Sequence, residues 1–411
     1  MSRLAPALLT AVLLLFVTPR PPAPPPAGHF VIAWVGDSSG KGDDFLAVID
    51  ADPASPSYGR LITTLVTDQR TLKIHHTEYT MPASGMLFAN DHDAGRTFIF
   101  DVRDPRHPTV AGSFTDRAGY ILPHSYVRLP NGHVLAAFQH VRPAAGSDVP
   151  MDAMGMDHLG GTGGLVEIDD QGKVVRAASS ADPKFAGALL TPYSLVVLPD
   201  LDRVLSTNSS MSHDDVFRGL TYQVWRLSDL KLLRTEYLDP GKGRYAEIDP
   251  EEPRRAPDGS VLVQTGACGL ERITGVGGAE PASRLVYSFP GGSCGVPTIV
   301  GHYLIQSVPE DKGLVVLDVR DAARPVEVSR VRLSETFRPH WTSWDLKTHR
   351  IVVTGSEDRL YLLAFDPLTG AIKVDSAFHD AAGEPGFDFH DRDWPHGWHG
   401  SGLPHGAVFS N

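Results

Sequence analysis

From about residue 30 onward the sequence repeats itself, and a chain built of repeats has few folds open to it. Four segments share one text: IHHTEYTMPASGMLFAN (74–90), LPHSYVRLPNGHVLAAF (122–138), TPYSLVVLPDLDRVLST (191–207) and RPHWTSWDLKTHRIVVTG (338–355). Each reads as strand, tight turn, strand. Each is followed by a third strand that ends in an acidic turn: TFIFDVRDP (97–105), GLVEIDDQG (164–172), YQVWRLSDL (222–230) and LYLLAFDPLTG (360–370). A fourth short strand closes the unit. GLVVLDVRDAARPVEVSRV (313–331) repeats TFIFDVRDPRHPTVAGSF (97–114) almost word for word. Helical periodicity is scarce, and the 40 glycines and 33 prolines suit short strands and turns. Antiparallel four-stranded units in series predict an all-β chain, a β-propeller.

Units start near residues 74, 122, 191, 244, 296 and 338. One strand, LPHGAVFS (403–410), is left at the C-terminus, and three are left at the N-terminus: FVIAWVG (30–36), DFLAVID (44–50) and RLITTLV (60–66). Together they make a seventh blade, its inner strand from the C-terminus and its outer three from the N-terminus. That closure leaves no open sheet edge. The fourth and fifth units are the least regular, RYAEIDPEEPRRAPDG (244–259) being an atypical inner strand. The competing architecture is a pair of stacked β-sandwiches.

Residues 1–27 carry Arg3, an apolar stretch from Leu4 to Val17 and a proline-rich exit, the pattern of an export signal ending near Ala27. The stretch is short for a membrane span. An uncleaved N-terminal anchor is the alternative. No second apolar run of spanning length follows, so residues 28–411 are expected to form one propeller domain in the periplasm or outside the cell, without a membrane span. The formal charge of −12, with no run of Lys or Arg, argues against nucleic acid as partner.

In a propeller the first strand of each blade lines the central axis. Taking the turn prolines Pro82, Pro130 and Pro199 as register aligns His76, His124 and Tyr193. The same position carries His340 in RPHWTSW and His405 in LPHGAV, and His75 precedes His76. Four of seven inner strands therefore begin with His, on blades six, seven, one and two, which are neighbours around the ring. Their imidazoles are expected to converge near the axis. One such histidine is ordinarily bonded to water and strand carbonyls; four in the same position are better explained by a metal. An all-imidazole site suits copper, iron, nickel or zinc and excludes magnesium and calcium.

The long connections, 140–162, 208–219 and 376–402, fall on the mouth where these strands begin. They hold His140, His158, His213, His379, His390, His396 and His399, and the methionines Met151, Met154, Met156 and Met211. Methionine and histidine together could capture copper; a lid with adaptable side chains is the plainer account. Two cysteines exclude a Cys-based zinc framework. In an exported chain Cys268 and Cys294 are expected to bridge neighbouring blades as a disulfide, a thiolate ligand being the alternative. GGTGG (160–164) is followed by neither Lys-Ser/Thr nor a helix, so it is no phosphate loop, and no Gly-x-Ser-x-Gly elbow is present.

At these residues the chain resembles the selenium-binding protein/methanethiol oxidase family. The likeness runs through DDFLAVIDADPASPSYG (43–59), IHHTEY (74–79), PHSYVRLPNGHVL (123–135), GTGGLVEID (161–169) and LPHGA (403–407), and thins between about 240 and 300. The resemblance implies a seven-bladed propeller and, in bacterial members, an exported copper enzyme. The implied reaction oxidises methanethiol with O2 and water to formaldehyde, hydrogen sulfide and hydrogen peroxide. It carries metal-binding roles onto His75, His76, His124 and His405. Two departures stand out. Where the family has Cys-x-x-Cys after its His pair, this chain has TMPASGM (80–86), so selenium binding through a thiol there is not expected. His340 and the His-rich stretch near 390–399 have no recognised family counterpart.

The first expectation is therefore a copper-dependent oxidoreductase acting on a small thiol with O2, in which Tyr193 donates a proton or a hydrogen bond, a packed channel-lining tyrosine being the plainer account. The second is a four-His iron oxygenase, which would want an apolar tunnel rather than the acidic mouth of Asp388, Asp391 and Asp393. The third is an exported propeller that binds metal or a partner without catalysis.

Overall fold

A computed structural model describes residues 28–71, 74–92, 94–142, 162–209, 219–239, 241–243, 248–379 and 383–411. Among them, seven antiparallel sheets of four or five strands succeed one another along the chain. The inner strands are Ile74–Thr77, Tyr120–Arg128, Pro192–Leu198, Pro250–Arg255, Thr298–Val300, Pro339–Asp345 and Gly402–Phe409 (blades 1 to 7). The last sheet joins Gly402–Phe409 to Phe30–Asp37, Phe45–Asp50 and Leu61–Val66, so the C-terminal strand closes the ring against the N-terminal three. The fold is the seven-bladed propeller that the repeats predict, and not two stacked sandwiches. The expected export signal, Met1–Ala27, lies outside the described residues. No helix among the described residues is long and apolar enough to cross a membrane.

The reason is visible in the second strand of blade 7. Val31, Ala33 and Val35 pack with Trp341, Val352 and Leu362 of blade 6. The intervening Ile32 and Trp34 pack with Leu87, Ala89, Phe98 and Phe100 of blade 1. Successive side chains point to opposite faces, so a strand covered on both sides reads as an unbroken apolar run. Two sheets alone would leave one of those faces wet. The outer strands face water on one side and alternate accordingly, as Val326–Arg332 does.

Six of the seven inner strands carry an irregularity at the same place. Pairing with the second strand slips at Ile74/Thr77, Pro123/Ser125, Pro192/Leu195, Pro250/Glu252, Pro339/Trp341 and Pro404/Ala407. Each slip is a β-bulge, which leaves one residue unpaired and re-aims its side chain. Five of the bulges follow a proline, which lacks the N–H a regular ladder needs and is tolerated there. The residues thrown out are His75–His76, His124, Tyr193, Glu251, His340 and His405. In blade 5 the aligned position is Gly295, whose amide donates to Ser307 O at 3.1 Å.

Candidate metal centre

The bulges deliver His75, His76, His124, His340 and His405 to one place near the axis. The His75 ring lies 3.9 Å from His76, 4.7 Å from His124, 4.4 Å from His405 and 6.2 Å from His340, centre to centre. His340 is 4.7 Å from His405. The ligand nitrogens of His75, His76 and His405 lie within 4.8 Å of one another, and Nε2 of His75 is 2.9 Å from Nε2 of His124. Four neighbouring blades thus contribute five imidazoles to a single cluster.

These rings are poised as neutral ligands. Burial holds His75, His76, His124 and His405 well below the ordinary imidazole range, and the surrounding histidines push the same way. Burial alone takes His340 down to about 4. Nitrogens without a hydrogen-bond partner remain on them: both ring nitrogens of His76, Nε2 of His340 and Nδ1 of His405. Unpartnered buried nitrogens carry a desolvation cost that a cation would remove. His124 is oriented from behind: its Nδ1–H donates to the carbonyl of Tyr193 at 2.7 Å, which turns Nε2 toward the cluster. The donor set fits copper, as it fits iron or zinc.

Tyr193, expected at the same depth, has its ring 3.7 Å from that of His124. Burial and then the carboxylates of Glu251, Glu252 and Asp249 hold its phenol well above the ordinary range, so it can donate a proton bond but not act as a base at neutral pH.

One residue of the cluster, and one beside Tyr193, escape the sequence reading. His92, at the end of a second strand, lies 5.5 Å from His75 and 6.1 Å from His124, with Nε2 3.3 Å from Gln139 Oε1. Glu251 occupies the bulge position of blade 4, inside the segment that looked atypical. Its carboxyl is held well above the ordinary carboxylate range by burial first and then by Asp249, against the pull of a hydrogen bond from Gln264. The pair Pro250-Glu251, matching Pro123-His124 and Pro404-His405, was the available signal.

Several of the other described loop histidines have partners away from the cluster. His390 pairs with Asp358 at 2.7 Å, His399 with Asp391 and Asp393, and His396 with the Thr64 hydroxyl. Trp394, His396 and Trp398 pack on Phe45, fastening the 387–400 segment to blade 7. His379 bridges to Pro385 and Gly386, and His140 is buried at the end of Val134–Val141. His158, His213 and the four methionines lie outside the described residues. Cys268 and Cys294 form the expected disulfide between blades 4 and 5, so neither is a thiolate ligand.

No family model matches the chain. Two curated relatives are named methanethiol oxidase. That of Hyphomicrobium sp is 34% identical over 119 residues, 28% of this chain and 27% of the relative. That of Ruegeria pomeroyi is 28% identical over 154 residues, 36% of this chain and 31% of the relative. Both matches therefore span about a third or less of the relative's length. Among solved structures, a hypothetical selenium-binding protein from Sulfolobus tokodaii superposes with a TM-score of 0.67 at 14% identity, over 95% of this chain and 94% of that one. The periplasmic gluconolactonase of Pseudomonas aeruginosa gives 0.59 at 15% identity, over 93% and 99%. These likenesses speak for the fold alone. The chain is a seven-bladed propeller with partial sequence similarity to methanethiol oxidases, in line with the selenium-binding protein/methanethiol oxidase resemblance carried by its motifs.

Proposed function

We propose that this protein is an exported, copper-dependent oxidoreductase that oxidises a small thiol, methanethiol or a close analogue, with O2. The observation that carries the reading is the convergence of five neutral imidazoles, His75, His76, His124, His340 and His405, near the channel axis, with unpartnered nitrogens on His76, His340 and His405. The partial similarity to proteins named methanethiol oxidase supports the substrate class. Export is supported by the N-terminal pattern and by the Cys268–Cys294 disulfide, a bond favoured in oxidising compartments.

His76, His124, His340 and His405 would hold the metal, with His75 as the fifth nitrogen donor. Copper bound there supplies a soft Lewis acid that lowers the pKa of a coordinated thiol and a redox couple for O2. The protein's own groups do the rest. His124 is locked by the Tyr193 carbonyl, so its Nε2 stays directed at the cluster. The 2.9 Å contact between the Nε2 atoms of His75 and His124 holds one proton between them, which must leave before both can ligate. Tyr193, kept protonated by burial, places a proton donor against His124, and Glu251, kept protonated likewise, stands beside Tyr193. That arrangement suits a reaction in which reduced oxygen takes up protons.

Elemental analysis of protein recovered from the export compartment, followed by oxygen uptake with methanethiol, tests the reading. Stoichiometric copper and thiol-dependent uptake are expected, both lost in His124→Ala with the fold retained. Bound iron would favour the oxygenase, and metal without uptake the non-catalytic binder. Full metal content in His124→Ala would overturn the site.

A further inference from the structure

Beneath the histidines the channel holds an aromatic stack that the proposed chemistry leaves unused. The His76 ring is 5.0 Å from Trp341, and Trp341 lies flat on Tyr79 at 5.3 Å and 5°. The Tyr79 phenol donates to Glu252 Oε2 at 2.7 Å and sits 3.0 Å from Ser194 Oγ. Glu252 is fully buried, and its Oε1 has no hydrogen-bond partner. Trp341 Nε1–H donates to the Ala407 carbonyl at 2.7 Å. Arg254 covers the other face of the system, its guanidinium 4.1 Å from the Tyr79 ring centre and 3.0 Å from Glu252 Oε2. Tyr79, Arg128 and Arg254 then line an open cavity of about 420 Å³ built from the far ends of the inner strands of blades 2, 3 and 4. The stack thus spans the channel from the histidine cluster to the opposite mouth.

Packing accounts for an aromatic pair, and a buried phenol needs a hydrogen-bond acceptor. Arg254, Ser194 and Tyr79 all engage Glu252 Oε2, yet none of them accounts for its Oε1, buried without a hydrogen-bond partner, which is costly to keep. We propose that Trp341 and Tyr79 form an electron relay between the histidine centre and the cavity at the opposite mouth, with Glu252 as its proton acceptor. The proposal rests on the reading of the centre as a redox metal site.

The relay balances as follows. Copper held by the histidines would supply, with peroxide as co-oxidant, a one-electron oxidant, and Trp341 gives up one electron to it. The indole keeps its proton on the Ala407 carbonyl and takes an electron from Tyr79. The phenolic proton passes along its existing hydrogen bond to Glu252. The oxidant is reduced by one electron, Trp341 is restored, and Tyr79 is left as a neutral radical beside a protonated Glu252. A small reductant of the thiol or enediol class in the cavity returns one electron to Tyr79, and Glu252 returns the proton. The reductant leaves oxidised by one electron.

Copper-loaded protein mixed with hydrogen peroxide, frozen at intervals and read by electron paramagnetic resonance, tests this. A tyrosyl radical is expected in the native protein. Tyr79→Phe should abolish it and leave a tryptophan radical in its place, and Trp341→Phe should delay or abolish it, both with copper content unchanged. Should Trp341→Phe fail to fold, Glu252→Gln replaces it, with loss of the tyrosyl signal expected. Bound copper with no radical, or the same radical in Tyr79→Phe, overturns the relay. If the protein binds no copper, the functional reading fails on its own. The relay is then read in the metal-free protein with photogenerated ruthenium(III) tris-bipyridine. Loss of the tyrosyl signal in Tyr79→Phe supports it there, and an unchanged signal overturns it.

Discussion

Glu251 illustrates how much one half-buried side chain can do beside this site. It stands on the same ring of the channel as His124 and His405, but it carries a proton where they carry lone pairs. Glu251→Gln keeps the shape and an acceptor for Gln264 while removing the transferable proton. Copper content should be unchanged and thiol-dependent oxygen uptake should fall, measured together on one preparation. The same variant has a stability signature. The native carboxyl holds its proton well above the ordinary value of 4.5, so the native state binds more protons than the unfolded one as pH rises past that value. Native stability is therefore lost with rising pH, and Glu251→Gln should gain on the native protein as pH rises above 4.5 in thermal melts. The histidines act in the opposite sense. Their native pKa values lie below 6.5, so the unfolded chain takes up protons first as pH falls. Metal-free protein should lose stability on acidification from 6.5 toward the value of about 4 held by His340. Bound metal should protect it.

At the scale of the strand, the bulge is the device that builds the centre, and it depends on close backbone approach. A Cβ at Gly406 would lie 2.3 Å from the amide nitrogen of Thr77 and 3.0 Å from the carbonyl carbon of His76. Both are backbone atoms that cannot swing aside. Gly406→Ala must therefore push the His405 strand off the His75–His76 strand. A stability loss of about 1–3 kcal/mol is expected in denaturant titration, as for other overpacked sites. Reduced copper retention should accompany it. Much of this level is legible in the sequence. His76, His124, His340 and His405 share a place in the repeat, and the turn prolines set their register. Glu251 stands in the same place after its own proline, but it is hidden because RYAEIDPEEPRRAPDG lacks the apolar alternation of its neighbours. His92 is hidden for a different reason. It comes from the end of a second strand, and only the sideways packing of blade 1 on blade 2 brings it over His75 and His124.

At the scale of the molecule, ring closure and the histidine cluster share one strand. Gly402–Phe409 supplies both the seventh inner strand and His405, so binding at the axis ties the last residues of the chain to blades 1 and 6. Metal should raise the melting temperature by more than it does in His405→Ala, measured in parallel titrations. The disulfide, by contrast, clips blades 4 and 5 across a separation of 26 residues. Replacing Cys268 and Cys294 by Ser should cost about 2–4 kcal/mol of stability. Some loss of copper should accompany it, because Val296, two residues on from Cys294, donates its amide to the His340 carbonyl at 2.6 Å.

The number of blades, their order and the closure by the two termini follow from the sequence by itself, because strand periodicity and turn residues are local properties repeated along the chain. So does the shared depth of four histidines, which is a matter of register within each repeat. The stacking of Trp341 on Tyr79, the partnership of Tyr79 with Glu252 and the arrival of His92 at the centre are decided by the tertiary structure alone. They depend on the tilt and separation of blades across the channel, which pairs residues from distant repeats and leaves no periodic trace.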